Sequence, residues 1–204
     1  MIESTEHSKI NDQDTFIFCG AKGSDTEWKK LAKRLGHKFI THDTYDTELD
    51  KYFNTTLEVN RVVGRTFPTK NEYLNRLLLR NIKTGLTAKH LYVIGEMDLN
   101  LNILGGTIWA CATFIYFNED PGSLFFFDQH RKIWFYWNKA SRNLIPEIPL
   151  GVELHKCSKF KDNFRVLSGN PPTPTGLWSG IGTRLINESG KAAIDSITAG
   201  IPLV

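Results

Sequence analysis

Long apolar runs are missing from this chain of 204 residues. None approaches the ~20 consecutive apolar residues that a membrane-spanning helix requires. The opening stretch, MIESTEHSKINDQD, lacks the apolar centre of a signal peptide and reads as a flexible lead-in over residues 1–14. Cysteine is scarce: Cys19, Cys111 and Cys157 are odd in number, widely spaced and without a CxxC pair. Cys19 ends an apolar stretch and Cys111 lies in another, so both read as reduced core residues in a cytoplasmic setting. The six histidines show no metal spacing; His37 and His42 are five apart with no partnered cysteine or second pair, so no metal is expected. Neither GxGxxG nor the phosphate loop GxxxxGK[ST] occurs, so neither dinucleotide redox chemistry nor ATPase chemistry is indicated, and no cofactor is expected. A large excess of charge is missing too. Twenty-five basic residues against 22 acidic ones, net +3, are too even to imply nucleic acid by composition.

What is present is ordinary globular composition, 41% hydrophobic and 23% charged, in a length that fits one domain over residues 15–204. Thr15 to Cys19 reads as a buried strand. Ser24 and Glu27 form an S-x-x-E capping box, and Trp28, Leu31, Ala32 and Leu35 give the helix behind it an apolar stripe that Gly36 stops. Lys38 to Thr41 reads as a strand, and Asp46 to Val63 as a helix weakened by Asn54, Thr55 and Thr56. Phe67-Pro68 enforces an extended approach to a helix over Asn71 to Thr84. That helix has Leu74, Leu77, Leu78 and Ile82 on one face and Arg76, Arg80 and Lys83 on another. LYVIG (Leu91 to Gly95) is a buried strand, and LGGTIWACATFIYF a glycine turn leading into an apolar helix. Leu124 to Asp128 and Ile133 to Trp137 form a hairpin. Residues 139–176 are an irregular connector ending in the polyproline-like GNPPTPTG, and LWSGIGTR precedes a helix over Asn187 to Ala199. The alternation predicts an α/β fold: a Rossmann-like, open, mostly parallel sheet with helices on both faces and a β-hairpin appendage.

Three turns between a predicted strand and a helix contain glycine: GAKGSD, LGGT and GIGTR. In an open parallel sheet such turns lie at the carboxyl ends of strands, where helix N-termini favour anions. Gly20, Ala21, Lys22, Gly23, Ser24 and Asp25 come from the first. Gly105, Gly106 and Thr107 come from the second, and Gly182, Thr183 and Arg184 from the third. Arg65, Arg76, Arg80 and Arg184 are the strongest anion partners because a guanidinium fork matches phosphate oxygens. Arg76 and Arg80 read equally well as a solvated face pairing with Glu72. Asn71 and Asn75 fit a base or ribose, with helix capping open for Asn71. Tyr73 and Trp109 suit stacking on a base or simple core filling. Asp128, at a strand end, and Glu96 are candidate carboxylates, and Gln129 offers both donor and acceptor. The aromatic strand containing Trp134 and Trp137 reads as a hairpin that covers the sheet edge.

GAKGSD resembles the GGAxGAD loop of the SLOG superfamily, the Rossmann-like fold shared by cytokinin-activating LOG enzymes, DNA-processing protein A and sensors of NAD-derived signals. The chain is similar to a SLOG-like family found in phages and fungi, from about Phe16 to Ile194. The family pattern runs through GGAxGAD, FPTxNxYxNxLLxRN, GGTGWA, an FDQ hairpin and a terminal GIGTR. Here these are GAKGSD, FPTKNEYLNRLLLRN, GGTIWA, FDQHRKIWFYW and GIGTR. Cys19 stands for the first glycine of GGAxGAD, and Ile108 for the last glycine of GGTG. In other phage SLOG proteins a GIGSR-type loop precedes GGAxGAD. Circular permutation accounts for the order here and predicts that the C-terminal strand inserts beside the first, with Gly182 and Gly23 lining one pocket.

The resemblance implies a sensor or sequestering protein for a nucleotide or an NAD-derived, ADP-ribose-like molecule. The alternative it implies is LOG-type hydrolysis of a nucleotide N-glycosidic bond. LOG enzymes carry PGGxGTxxE, whereas LGGTIWACA has Leu104 for the proline and no glutamate. Nucleic-acid binding, as in DNA-processing protein A, has only the Arg76/Arg80/Lys83 stripe behind it. SLOG relatives often dimerise, so a homo-oligomer with the aromatic hairpin as its interface stays open.

Overall fold

The computed structural model describes residues 14–138 and 164–198. Nearly all of the expected lead-in, most of the connector, Cys157 and the end of the expected last helix lie outside the described residues. Strand β1 (Thr15–Phe18) leads through the first glycine loop to helix α1 (Ser24–Arg34) and strand β2 (Lys38–Thr41). A 3-10 turn (Thr47–Tyr52) runs into α2 (Phe53–Val63), followed by α3 (Glu72–Thr87), β3 (His90–Gly95) and α4 (Thr107–Tyr116). The hairpin strands β4 (Ser123–Asp128) and β5 (Ile133–Asn138) follow, then β6 (Arg165–Val166), β7 (Leu177–Gly182) and α5 (Glu188–Ser196).

The helix expected from Asp46 to Val63 is therefore divided. Asp46 caps the 3-10 turn by accepting the Glu48 N–H at 2.9 Å. Arg76 donates to the carbonyls of Thr44 and Asp46 and to the Asp50 carboxylate, and Lys83 pairs with Asp46 at 2.5 Å. These cations from α3 hold the segment in its tighter winding until Phe53.

Seven strands form one sheet in the order β2-β1-β7-β3-β4-β5-β6. The pairs β1–β2, β1–β7, β3–β7 and β3–β4 are parallel, and β4–β5 and β5–β6 antiparallel. The fold is the α/β class expected, with the hairpin as its antiparallel appendage. Strand β7, last in sequence, is central: Phe16 lies opposite Trp178 on one side, and Ile94 opposite Gly182 on the other.

Both faces of the sheet are covered, which is why its strands read as continuous apolar runs. Ile17, Leu91, Val93, Phe126 and Ile181 pack with residues of α2, α3 and α4. Phe16, Tyr92, Ile94, Phe127 and Trp178, at the alternate positions of the same strands, pack with α1 and α5. On this second face Phe16 and Trp178 pack as a tilted pair at 4.6 Å between centroids, with Trp28 at 6.2 Å and Tyr92 at 5.6 Å from Trp178. Burial of each such ring contributes about 1.5–3 kcal/mol. The Trp28 indole N–H donates to the Ile181 carbonyl at 3.2 Å, tying α1 to the central strand. Cys19 and Cys111 are buried free thiols, and Trp137 packs edge-on against Phe114 in the core. Among the described residues no helix is long and apolar enough to cross a membrane.

Gly180, in the middle of β7, lies directly under the Trp28 side chain, and a Cβ there would overlap the indole. Gly180→Ala is expected to lower stability by about 1–3 kcal/mol in urea unfolding. Gly106→Ala, where a Cβ meets nothing within 4 Å, should stay within about 0.5 kcal/mol.

Candidate functional site

Chain order at the centre of the sheet creates a crevice. From β1 the chain turns outward to β2, and from β3 it turns the other way to β4, with β7 between them. Their carboxyl ends thus form a topological switch point, the usual ligand position in such sheets. A cleft of about 670 Å³ opens there. Its lining includes Ala21 and Asp25 from the first glycine loop, Gly105, Gly106 and Thr107 from the second, and Gly182, Thr183 and Arg184 from the third. Three turns far apart in sequence converge, as expected.

The loops are locked to one another by their own backbones. Gly23 packs so closely that a Cβ there would sit 2.6 Å from the Thr183 and Arg184 carbonyl oxygens. It therefore lies behind the cleft instead of lining it with Gly182. The Ser24 N–H donates to the Thr183 carbonyl at 3.1 Å, and its hydroxyl donates to the same oxygen at 2.9 Å. The capping box expected at Ser24 does not form: Gly23 is the N-cap, and Ser24 is wholly buried stitching the two loops. The Thr183 N–H donates to Ile94, and the Leu185 N–H to the Thr183 hydroxyl. Amide donors at these two loops are thus largely used internally. At the second loop, α4 begins with Gly106 as N-cap, and the first-turn N–H groups of Thr107 and Ile108 lack intrahelical acceptors. Arg65 fixes that loop by donating to the Gly105 carbonyl at 2.7 Å.

Arg80 dominates the electrostatics. Its residue is only 6% exposed, yet it lines the cleft. Its Nε has no partner, and Nη2 reaches only Asn81 Oδ1, at 3.4 Å. A buried guanidinium without compensation costs several kcal/mol. Asp25, 2% exposed on the same cleft, is the nearby counter-charge. Burial pushes its carboxyl up to about 7, against the opposing pull of Arg80 and the N–H groups of Ala21 and Gly182. Near neutral pH Asp25 is therefore only partly ionised and offsets Arg80 incompletely. Around them the walls are apolar: Leu74, Leu77, Leu78, Leu104 and Ile181.

The polar layer beneath is ordered by one hydroxyl. Thr84 Oγ1 donates to the Arg80 carbonyl at 3.0 Å. Cys19 Sγ and His42 Nδ1 each lie 3.0 Å from the same oxygen and share hydrogen bonds with it. Burial, with Lys83 and Arg80 nearby, lowers the His42 pKa to about 4, and burial raises the Cys19 thiol to about 11. At neutral pH His42 is therefore uncharged.

Other expected site residues have structural tasks. Asn71 caps α3 by accepting the Leu74 N–H, although it also borders the cleft. Asn75 is used by Thr69, accepting its N–H and hydroxyl and donating to its carbonyl. Trp109 is 2% exposed and packs edge-on against Phe67 in the core, whereas Tyr73 stands at the cleft. Asp128 is fully buried and holds the β4–β5 turn, accepting from the His130 and Arg131 N–H groups and pairing with the Arg131 guanidinium. Glu96 does line the cleft, accepting from Gln129 Nε2 at 2.8 Å. Gln129 also takes the Asn187 N–H, so it braces the third loop. Gly20 and Lys22 border an adjoining groove. Asn81 and Leu185 line the cleft without having been singled out in the sequence. His42, set aside there as a non-ligand, follows the end of β2 at the same sheet edge; that position was the available signal.

The Asp25 shift has a signed consequence. Its folded pKa lies above the unfolded value of 3.8, so ionisation opposes folding between those pH values and by a constant amount above about 7. Asp25→Asn is expected to raise the melting temperature fully at pH 8–9, by up to about 4 kcal/mol of stability. The gain should shrink as pH falls from 7 to 4 and vanish below, as read by thermal denaturation across pH.

Compared with family models, with curated proteins and with solved structures, the chain finds no match.

Proposed function

We propose that the cleft binds a nucleotide or an NAD-derived, ADP-ribose-like molecule by its phosphate, and that the protein senses or sequesters that molecule. The observation that carries this reading is Arg80, a guanidinium buried at the switch point with an unpartnered Nε. A phosphate would supply the compensation that the partly ionised Asp25 does not. The N-terminus of α4 adds unpaired N–H groups on the same cleft, and Arg184 adds an exposed guanidinium. The leucine-rich wall suits the flat face of a base. The resemblance to SLOG proteins supports the same ligand class, and a central last strand is the arrangement that circular permutation of such a sheet would produce.

A second reading, hydrolysis of a nucleotide N-glycosidic bond, is favoured by one observation. Asp25 lines the cleft with its carboxyl raised to about 7, the range that suits a proton donor at neutral pH. Glu96 is the other carboxylate on the cleft. Incubation with AMP, NAD and ADP-ribose separates the two readings: a binder releases no free base, whereas a hydrolase does so and loses the activity in Asp25→Asn.

Binding is tested by mass spectrometry of small molecules released from the denatured protein and by thermal shift. A ligand at a hundredfold excess over its Kd should stabilise the protein by about 2.7 kcal/mol. Arg80→Met should abolish that shift while leaving the ligand-free melting temperature equal or higher, because an apolar chain replaces an uncompensated charge. A variant that melts lower yet keeps the full ligand response would make Arg80 structural and remove the basis of the proposal.

A further inference from the structure

Arg80 does not sit at the blind end of the cleft. A second groove of about 520 Å³ adjoins the first, and Ala21, Tyr73, Leu77, Arg80 and Arg184 border both. The buried cation and the exposed one are therefore at a junction with open space on either side. A terminal phosphate bound there would leave one of the two grooves without a guest.

The grooves differ in chemistry. The first has the leucine wall and the α4 N-terminus. The second lies between the β1–α1 loop, with Gly20 and Lys22, and the segment after β2, with His42, Asp43, Thr44 and Tyr45. His42, a buried ring bonded through Nδ1 to the Thr84 hydroxyl, is an unprotonated imidazole here. Asp43 Oδ1 accepts the Tyr45 N–H at 3.0 Å, which leaves its carboxylate further acceptor capacity. Lys22 is the basic residue on this wall. An unprotonated imidazole and a carboxylate disfavour a second phosphate here and favour a group that donates hydrogen bonds, such as a sugar hydroxyl or an exocyclic amine. Tyr45 is 83% exposed, leaving its ring free for contact with a planar group.

We infer that the guest spans both grooves and is a phosphodiester or pyrophosphate with an organic group on each side, its phosphate over Arg80 and a hydroxyl- or amine-bearing end in the His42–Tyr45 groove. This rests on the proposed phosphate-binding reading and narrows it to two-sided ligands.

Calorimetric titration with AMP, whose phosphate is terminal, and with ADP-ribose and diadenosine pyrophosphate, which are two-sided, tests it. The two-sided probes should bind at least about tenfold more tightly than AMP. Tyr45→Ala, at an exposed position, should weaken them about tenfold and leave AMP unchanged, with Asp43→Asn giving the same pattern. Arg80→Met should abolish binding of all three. AMP binding as tightly as the two-sided probes, or a Tyr45→Ala variant that changes neither class, overturns the two-groove inference while Arg80-dependent AMP binding stands. If no probe binds in an Arg80-dependent way, the phosphate reading falls and this inference falls with it.

Discussion

Strand β7 has parallel neighbours on both edges and a helical layer on both faces, so almost everything else in the molecule is referred to it. Trp28 anchors α1 to its Ile181 carbonyl, and Trp178 carries the aromatic cluster that joins α1 to the sheet. Gly180 lets the indole lie directly on the backbone. Being central, β7 must deliver its final loop between the β1–α1 and β3–α4 turns. The convergence of the three glycine turns is thus a consequence of strand order, and a separate attraction between the loops is not needed to explain it. Without β7, β1 and β3 would each lose a full ladder of parallel hydrogen bonds, and the crevice would lose its floor.

The same edge concentrates an electrostatic conflict. Arg80 is buried without a matched anion, and Asp25 is buried enough to resist ionisation even beside that charge. A structural ion pair would have closed the gap with an Arg–carboxylate fork, worth more than either group separated. The chain does make close ion pairs elsewhere, though not forks: Arg131 with Asp128, and Lys83 with Asp46. That contrast argues that the separation at the cleft is a property of the site. Proteins tolerate local instability of this kind where a ligand or a reaction offsets it.

Much of the framework was legible because both sheet faces are apolar and the helices are amphipathic, so runs such as LYVIG and the buried pair Leu78 and Ile82 announce themselves, whereas Leu74, expected on the same core face, is exposed at the cleft. The glycine turns also declared the edge at which the cleft lies. What could not be read was the partner of each polar side chain. Ser24 has the spacing of a cap, but the Thr183 carbonyl, 159 positions away, claims its hydroxyl. Asp128 stands at a strand end like many catalytic carboxylates, yet the nearest donors belong to its own turn. Tertiary neighbours decide these cases, and local spacing carries no information about them.

Helix α3 makes the point most sharply. Arg76, Arg80 and Lys83 share one stripe, and by period alone they are equivalent. One turn of helix separates Arg76, which grips the Asp46 carbonyl and the Asp50 carboxylate, from Arg80, which looks onto the open cleft. Lys83 is drawn back to Asp46. The stripe is therefore not a continuous basic track of the kind that follows a nucleic-acid backbone, since two of its three charges are already neutralised within the fold. Only the middle cation is left facing free volume. It stands with the exposed Arg184 between two chemically different grooves, and for the proposed phosphate-bearing guest the selectivity would come from what flanks the phosphate on each side.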